Sequence, residues 1–262
     1  MKEEVKVFLT ALMFYTRIPC PKWVDHSEAY LEKSTRYLPL VGWIVGGITS
    51  IIFICSSFLF STTLSIIFAI TASVLTTGAF HEDGLADTCD AFGGGWTKEK
   101  ILAIMKDSRI GTYGVVALIL IFLTKFIVLS DLLDISENIL LTVVAIFISG
   151  NSASRFIAIT SIITHNYVSD TDMSKSKPVV KKNFNWYDPT IIIAAVFGFI
   201  PLICFSSPIV FVVIIPMYLS KWLMLRFFNK WIGGYTGDCL GAVQQISEII
   251  FYISLLILWN CI

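Results

Sequence analysis

The sequence predicts an all-α fold: a polytopic integral membrane bundle of about seven transmembrane helices with a cytoplasmic N-terminus. Three observations predict it. Apolar residues make up 56% of the 262-residue chain and charged residues only 15%, against roughly 25% charged in an ordinary soluble domain. The 44 residues from Tyr37 to Phe80 contain no Asp, Glu, Lys or Arg, which is room for two bilayer crossings of about 20 residues each. A second gap covers the 32 residues from Pro189 to Ser220 and is broken by Ser206-Ser207-Pro208. Too few charges remain to cover a soluble surface, so a soluble enzyme, a secreted disulfide scaffold and a disordered tail are excluded. The formal net charge of 0 gives no case for a nucleic-acid partner. The lipid bilayer is the expected environment.

Taken in order, the chain opens on Met1-Lys2-Glu3-Glu4, with no cleavable signal expected. Residues 5–15 are apolar but short, with Lys6 inside and Arg17 beyond, and read as a helix lying on the membrane surface within an N-terminal segment 1–36. Spans are placed at 38–60, 62–80, 110–130, 139–163, 190–205, 208–225 and 247–262. Lysine and arginine set the orientation. Lys2, Lys6, Arg17, Lys22, Lys33 and Arg36 fall on one side, followed by Lys98, Lys100, Lys106 and Arg109, then Lys175, Lys177, Lys181 and Lys182, then Lys221, Arg226 and Lys230. The opposite loops and the C-terminus carry neither residue type. The basic side is read as cytoplasmic and the C-terminus as external. The whole of 1–262 is one domain without internal repeats, and its longest polar stretch, 81–109, is the expected cytoplasmic catalytic loop. The six cysteines are scattered, with no C-x-x-C spacing.

That loop begins His81-Glu82-Asp83-Gly84-Leu85-Ala86-Asp87-Thr88-Cys89-Asp90 and runs into Gly93-Gly94-Gly95. On a helix Asp83, Asp87 and Asp90 fall within an arc of about 60°. Like charges at this spacing destabilise a helix by about 0.2–0.5 kcal/mol, so a stripe of three makes sense if a cation sits on it. The hard cation for oxygen ligands is Mg²⁺, held by a few carboxylates plus substrate phosphates. A solvated polar helix end is the plainer alternative. Further along, Lys106-Asp107-Ser108-Arg109-Ile110-Gly111 precedes the third span. Lys106 and Arg109 are of the kind that holds phosphate oxygens, and Asp107 is either a further ligand or the partner of Arg109. Arg155 sits mid-span and needs an anionic partner, while Lys125 reads as a snorkelling lysine. Gly233-Gly234-Tyr235-Thr236-Gly237-Asp238 offers backbone amides that could cradle phosphate. His26, His81 and His165 show no ligand spacing.

These segments, together with Phe14-Tyr15-Thr16-Arg17-Ile18-Pro19 and Arg36-Tyr37-Leu38-Pro39-Leu40-Val41-Gly42, resemble the adenosylcobinamide-GDP ribazoletransferase (cobalamin synthase) family over nearly the whole chain. The resemblance implies a Mg²⁺-dependent reaction at the cytoplasmic (inner) membrane of a prokaryote. In it adenosylcobinamide-GDP and α-ribazole, or its 5′-phosphate, give adenosylcobalamin, or its 5′-phosphate, plus GMP. It implies Asp83, Asp87 and Asp90 on Mg²⁺, and Lys106 and Arg109 on the pyrophosphate, with Arg155, Gly237 and Asp238 as further substrate contacts. Asp107 or Glu82, or else His81, would take the hydroxyl proton. A homo-oligomer stays open. Two other readings stand beside this one. The first is another Mg²⁺-dependent membrane transferase, of the CDP-alcohol phosphatidyltransferase or prenyltransferase type. The second is an ion-coupled transporter, which should pair intramembrane charges across several spans.

Overall fold

A computed structural model describes residues 2–24, 27–168, 189–204 and 207–261. Lys175, Lys177, Lys181, Lys182 and His26 lie outside the described residues. Among those described the chain is helical, with one isolated bridge between Tyr167 and Tyr235. Helix α1 (Lys2–Tyr15) buries Val7, Ala11 and Tyr15 on one face and is tied down by charge. Glu4 accepts from Arg36 at 2.7 Å and from the Tyr37 hydroxyl at 2.7 Å, and Lys33 pairs with Glu3. Helix α2 (Glu28–Ser34) leads through a 3-10 turn into α3 (Leu38–Ser57), whose Pro39 occupies the first turn, where no backbone donor is needed.

Helix α3 packs on α8 (Ile139–Thr164) through Gly42 and Gly46. A Cβ at either position would lie 2.6–2.7 Å from the carbonyl oxygens of Asn151 and Phe147. In lipid, where apolar burial gives helices little reason to associate, such close backbone approach is a main source of packing energy. Helix α4 (Thr62–Thr77) starts on a Ser61 cap and ends at left-handed Gly78 and Ala79. There the chain turns by 88° into α5 (Phe80–Gly94). A short α6 (Lys98–Met105) follows, then α7 (Thr112–Asp134). After α8 come α9 (Pro189–Phe199), a 3-10 segment Ile200–Cys204, α10 (Ile214–Ile232) with its 3-10 lead-in from Pro208, and α11 (Gly237–Cys261). Helices α8 and α11 are mostly buried in the middle of the bundle, whereas α7 turns Val115, Ile119 and Leu123 outward, as lipid contact requires.

Five helical stretches are long and apolar enough to cross a membrane, and the α4–α5 pair makes a sixth if counted as one broken span. Two sequence expectations change. The last span starts at Gly237 rather than at 247, because its polar residues Gln244, Gln245 and Glu248 face the bundle interior. The span expected at 190–205 is short. At about 1.5 Å per α residue and 2.0 Å per 3-10 residue, α9 and its 3-10 extension reach about 26 Å, against a hydrocarbon core of about 30 Å. The Phe197 carbonyl, close to where the α pattern ends, accepts from Trp43 Nε1 at 2.7 Å and from Ser152 Oγ at 2.6 Å. If this short segment completes a seventh crossing, reporter fusions after Gly95 and at the C-terminus report opposite sides of the membrane. Reports from the same side would reduce the count to six.

Candidate active site

The acidic helix is placed by the bend that precedes it. Gly78 (φ 65°) and Ala79 (φ 59°) both adopt left-handed backbone, and their amides bond back to Leu75 and Val74 to close α4. For alanine this conformation costs about 1–2 kcal/mol, a sign that the surrounding packing dictates the turn. Along α5, Asp83 is exposed, Asp87 half-buried and Asp90 buried. Asp90 spends both oxygens on α7: Oδ2 accepts from the Gly111 amide at 2.7 Å and Oδ1 from the Gly114 amide at 2.8 Å. It thereby caps the positive end of that helix. A Cβ at Gly111 or Gly114 would collide with the carboxylate. This cap pins the loop from Lys106 to Gly111 beside the acidic stripe. Within the loop Asp107 is the partner of Arg109, through Nε at 2.9 Å and Nη2 at 2.6 Å. The guanidinium holds the Asp107 carboxyl down to about 2, which makes it a weak proton acceptor.

Helix α11 adds a fourth carboxylate. Gly84 and Gly241 let α5 and α11 touch backbone to backbone: a Cβ on Gly84 would lie 2.9 Å from the Asp238 carbonyl, and one on Gly241 3.1 Å from that of His81. Asp87 then sits in the field of Asp83, Asp238 and Asp90. Beside them opens a cavity of about 410 Å³. Asp83, Asp238, Gly237, His81 and Arg17 line it, together with apolar side chains that include Phe14 and Phe80. Gly233–Tyr235 does not line it; Gly233 ends α10 with φ 81°, and Tyr235 is buried against Asn166 and Val168. Among the described residues no three His, Cys, Asp or Glu side chains converge on one point as a ready-made metal cage. Mg²⁺ does not require one, since it usually keeps several waters and takes one or two carboxylates plus substrate phosphates. Clustered carboxylates at an open cavity fit that donor set.

Arg155 does not line the cavity. It is buried in α8, where Nη1 donates to Asn151 O at 2.9 Å and Asn151 Oδ1 at 2.7 Å. Around it lies a buried polar network absent from the sequence reading. Lys125 of α7 does not snorkel; its Nζ pairs with Glu248 of α11 at 3.1 Å, both side chains being about 5% exposed. Glu248 also accepts from Tyr252 and Gln244, at 3.1 Å each. Gln245 bridges Gln244 to Glu82 of α5. Lys125 and Glu248 are therefore paired across helices, which is the pattern that the transporter reading expects. A glutamate inside an apolar span was the available signal for this network. For Asp238 the signal was the glycine on α11, three residues on, that allows close approach.

A family model described as cobalamin-5-phosphate synthase matches residues 7–256. A protein of Shewanella amazonensis named adenosylcobinamide-GDP ribazoletransferase is 41% identical over 259 residues, covering 99% of this chain and 98% of its own. Proteins of the same name from Leptospira interrogans and Ralstonia pickettii are 43% and 40% identical, covering 100% and 99% of this chain and 99% and 96% of their own. No solved structure matches.

Proposed function

From the premise that the chain belongs to the cobalamin-5-phosphate synthase family, we propose that it joins adenosylcobinamide-GDP to α-ribazole or α-ribazole 5′-phosphate and releases GMP. The observation that carries the mechanism is the group of carboxylates of α5 and α11 at one open cavity, beside a loop that presents Lys106 and Arg109. A ribazole hydroxyl attacks the phosphorus attached to the corrinoid. A new P–O bond forms, the P–O–P bridge breaks, and GMP leaves with the bridging oxygen. The enzyme must hold attacking and leaving oxygens in line, offset the charge of the diphosphate and accept one proton.

In this reading one or two carboxylates from among Asp83, Asp87 and Asp238 would hold Mg²⁺ directly, and the others would meet it through its waters. Asp90 can join them through the lone pairs its amide contacts leave over, while it keeps the loop in place. The bound cation would offset negative charge on the diphosphate and its leaving group. Lys106 and Arg109 contact diphosphate oxygens, Arg109 by exchanging Asp107 for a phosphate of similar bidentate geometry. Of the three residues proposed for the proton, His81 alone lines the cavity and is assigned the task. Arg155 is assigned to the buried network instead of to substrate. The active site faces the cytoplasm in this reading, on the strength of the lysine and arginine distribution.

The test is product analysis with purified membranes, adenosylcobinamide-GDP and α-ribazole, with and without Mg²⁺. GMP and a completed corrinoid are expected only with the metal. Formation of CMP or free diphosphate from the corresponding donors would support a different transferase, and uptake of an unaltered solute into proteoliposomes would support a transporter.

A further inference from the structure

Helices α5 and α11 meet at three successive levels. Gln245 Nε2 donates to Glu82 Oε1 at 3.1 Å. Next, Gly84 and Gly241 touch backbone to backbone. Beyond them Asp87 lies in the field of Asp238. Positions 82, 84 and 87 thus face 245, 241 and 238, so the helices run antiparallel past each other. The three contacts differ in kind. Carboxylates on facing helices repel and push α5 and α11 apart at their end until a cation arrives. The glycine contact lets the backbones approach closely but is non-directional, and it leaves the helices free to roll or slide. The hydrogen bond is directional, and it lies on the far side of the glycine contact from the repelling pair.

Gln245 is the one side-chain donor that the buried Glu82 has among the described residues, and Glu82 Oε2 is unpartnered. The link continues beyond it. Gln245 Nε2 also donates to Gln244 Oε1 at 2.9 Å, Gln244 Nε2 donates to Glu248 Oε2 at 3.1 Å, and Glu248 pairs with Lys125 of α7 at 3.1 Å. Helix α7 is the one whose N-terminal amides hold Asp90. One buried chain of polar contacts therefore crosses the three helices that place the carboxylates, and Gln245 is its link to α5. Without that amide Glu82 would be buried with no donor at all. Rolling α5 toward water would relieve that cost and would carry Asp83 and Asp87 with it.

We propose that Gln245 is a positioning residue: through Glu82 it fixes the roll of α5 against α11 and so holds Asp83 and Asp87 beside Asp238 before a cation binds. The inference rests on the carboxylate site proposed above. Hydrogen bonds behind the ligands contribute this kind of preformed spacing to metal sites, and losing one weakens metal affinity by about 10- to 100-fold.

The test reads cation affinity without substrate or turnover. Mn²⁺, which suits the same carboxylate and water ligands as Mg²⁺, is titrated into purified wild type and Gln245→Met and followed by its EPR signal, with thermal unfolding measured on each. Asp87→Asn gives the background of binding elsewhere. Methionine keeps the bulk of the side chain and loses its donors, and Mn²⁺ affinity should fall by about tenfold or more. The exchanged pair, Glu82→Gln with Gln245→Glu, turns the hydrogen bond round at constant charge and should return affinity to within about threefold of wild type. Ile146→Ala, in the core of α8, should lower the unfolding temperature without moving Mn²⁺ affinity. If Gln245→Met does not fold, Gln245→Asn, which withdraws the amide by one carbon, takes its place with the same expected direction. Unchanged affinity in the single variant, an exchanged pair no better than it, or an equal loss in Ile146→Ala overturns the proposal. Wild type that binds no Mn²⁺ above background overturns the carboxylate site as well.

Discussion

Asp87→Asn is expected to lower GMP formation by about three orders of magnitude, equivalent to about 4 kcal/mol of transition-state stabilisation. Asparagine keeps the shape of the side chain and removes the charge that a hard cation requires. Asp87 is the right position because it lies in the field of Asp83, Asp238 and Asp90 and, unlike Asp90, has no backbone duty. The variant should insert and fold normally. It even relieves like-charge repulsion with Asp83, by about 0.2–0.5 kcal/mol. Product formation is measured against Mg²⁺ concentration for both enzymes, and part of the loss should return at high Mg²⁺. A solvated acidic face predicts overlapping curves, and that result would remove the metal assignment.

The second large effect concerns stability. Replacing Glu248 by leucine should destabilise the protein by about 3–5 kcal/mol, because it leaves the Lys125 ammonium buried without its partner. Adding Lys125→Met should recover much of that loss. The double variant keeps Arg155 together with Glu82, so the buried charges again balance. Detergent-solubilised single and double variants are compared by thermal unfolding. The cycle should show a coupling of about 2 kcal/mol or more; additive losses would mean that the pair is not a unit.

The sequence made legible what depends on period and on charge. The apolar runs located α3, α4, α7, α8 and α10, and three aspartates at helical spacing located the acidic face. It made less legible what depends on which way a polar residue turns. Glu248, Gln244 and Gln245 lower the hydropathy of α11 as solvated residues would, yet they face inward, and so the helix was begun too late. Asp238 belongs to the carboxylate cluster only because Gly84 and Gly241 allow two helix backbones to meet, a contact between positions 157 residues apart. Asp90 carries a role that spacing cannot reveal, since its partners are backbone amides of another helix.

The 88° turn between α4 and α5 also bears on how the protein meets membranes of different thickness. A carboxylate stripe mounted along a crossing helix would spread its members over different depths, and a thinner or thicker bilayer would submerge some and expose others. An α4 that crosses near the membrane normal would set α5, 88° away, close to the membrane plane, with Asp83, Asp87 and Asp90 at nearly one depth. Hydrophobic mismatch, which tilts crossing helices at a cost of fractions of a kcal/mol per Å, then raises or lowers the three together and leaves their mutual spacing intact. Changes in lipid chain length should therefore alter how readily bulky substrates reach the stripe before they alter its affinity for a cation.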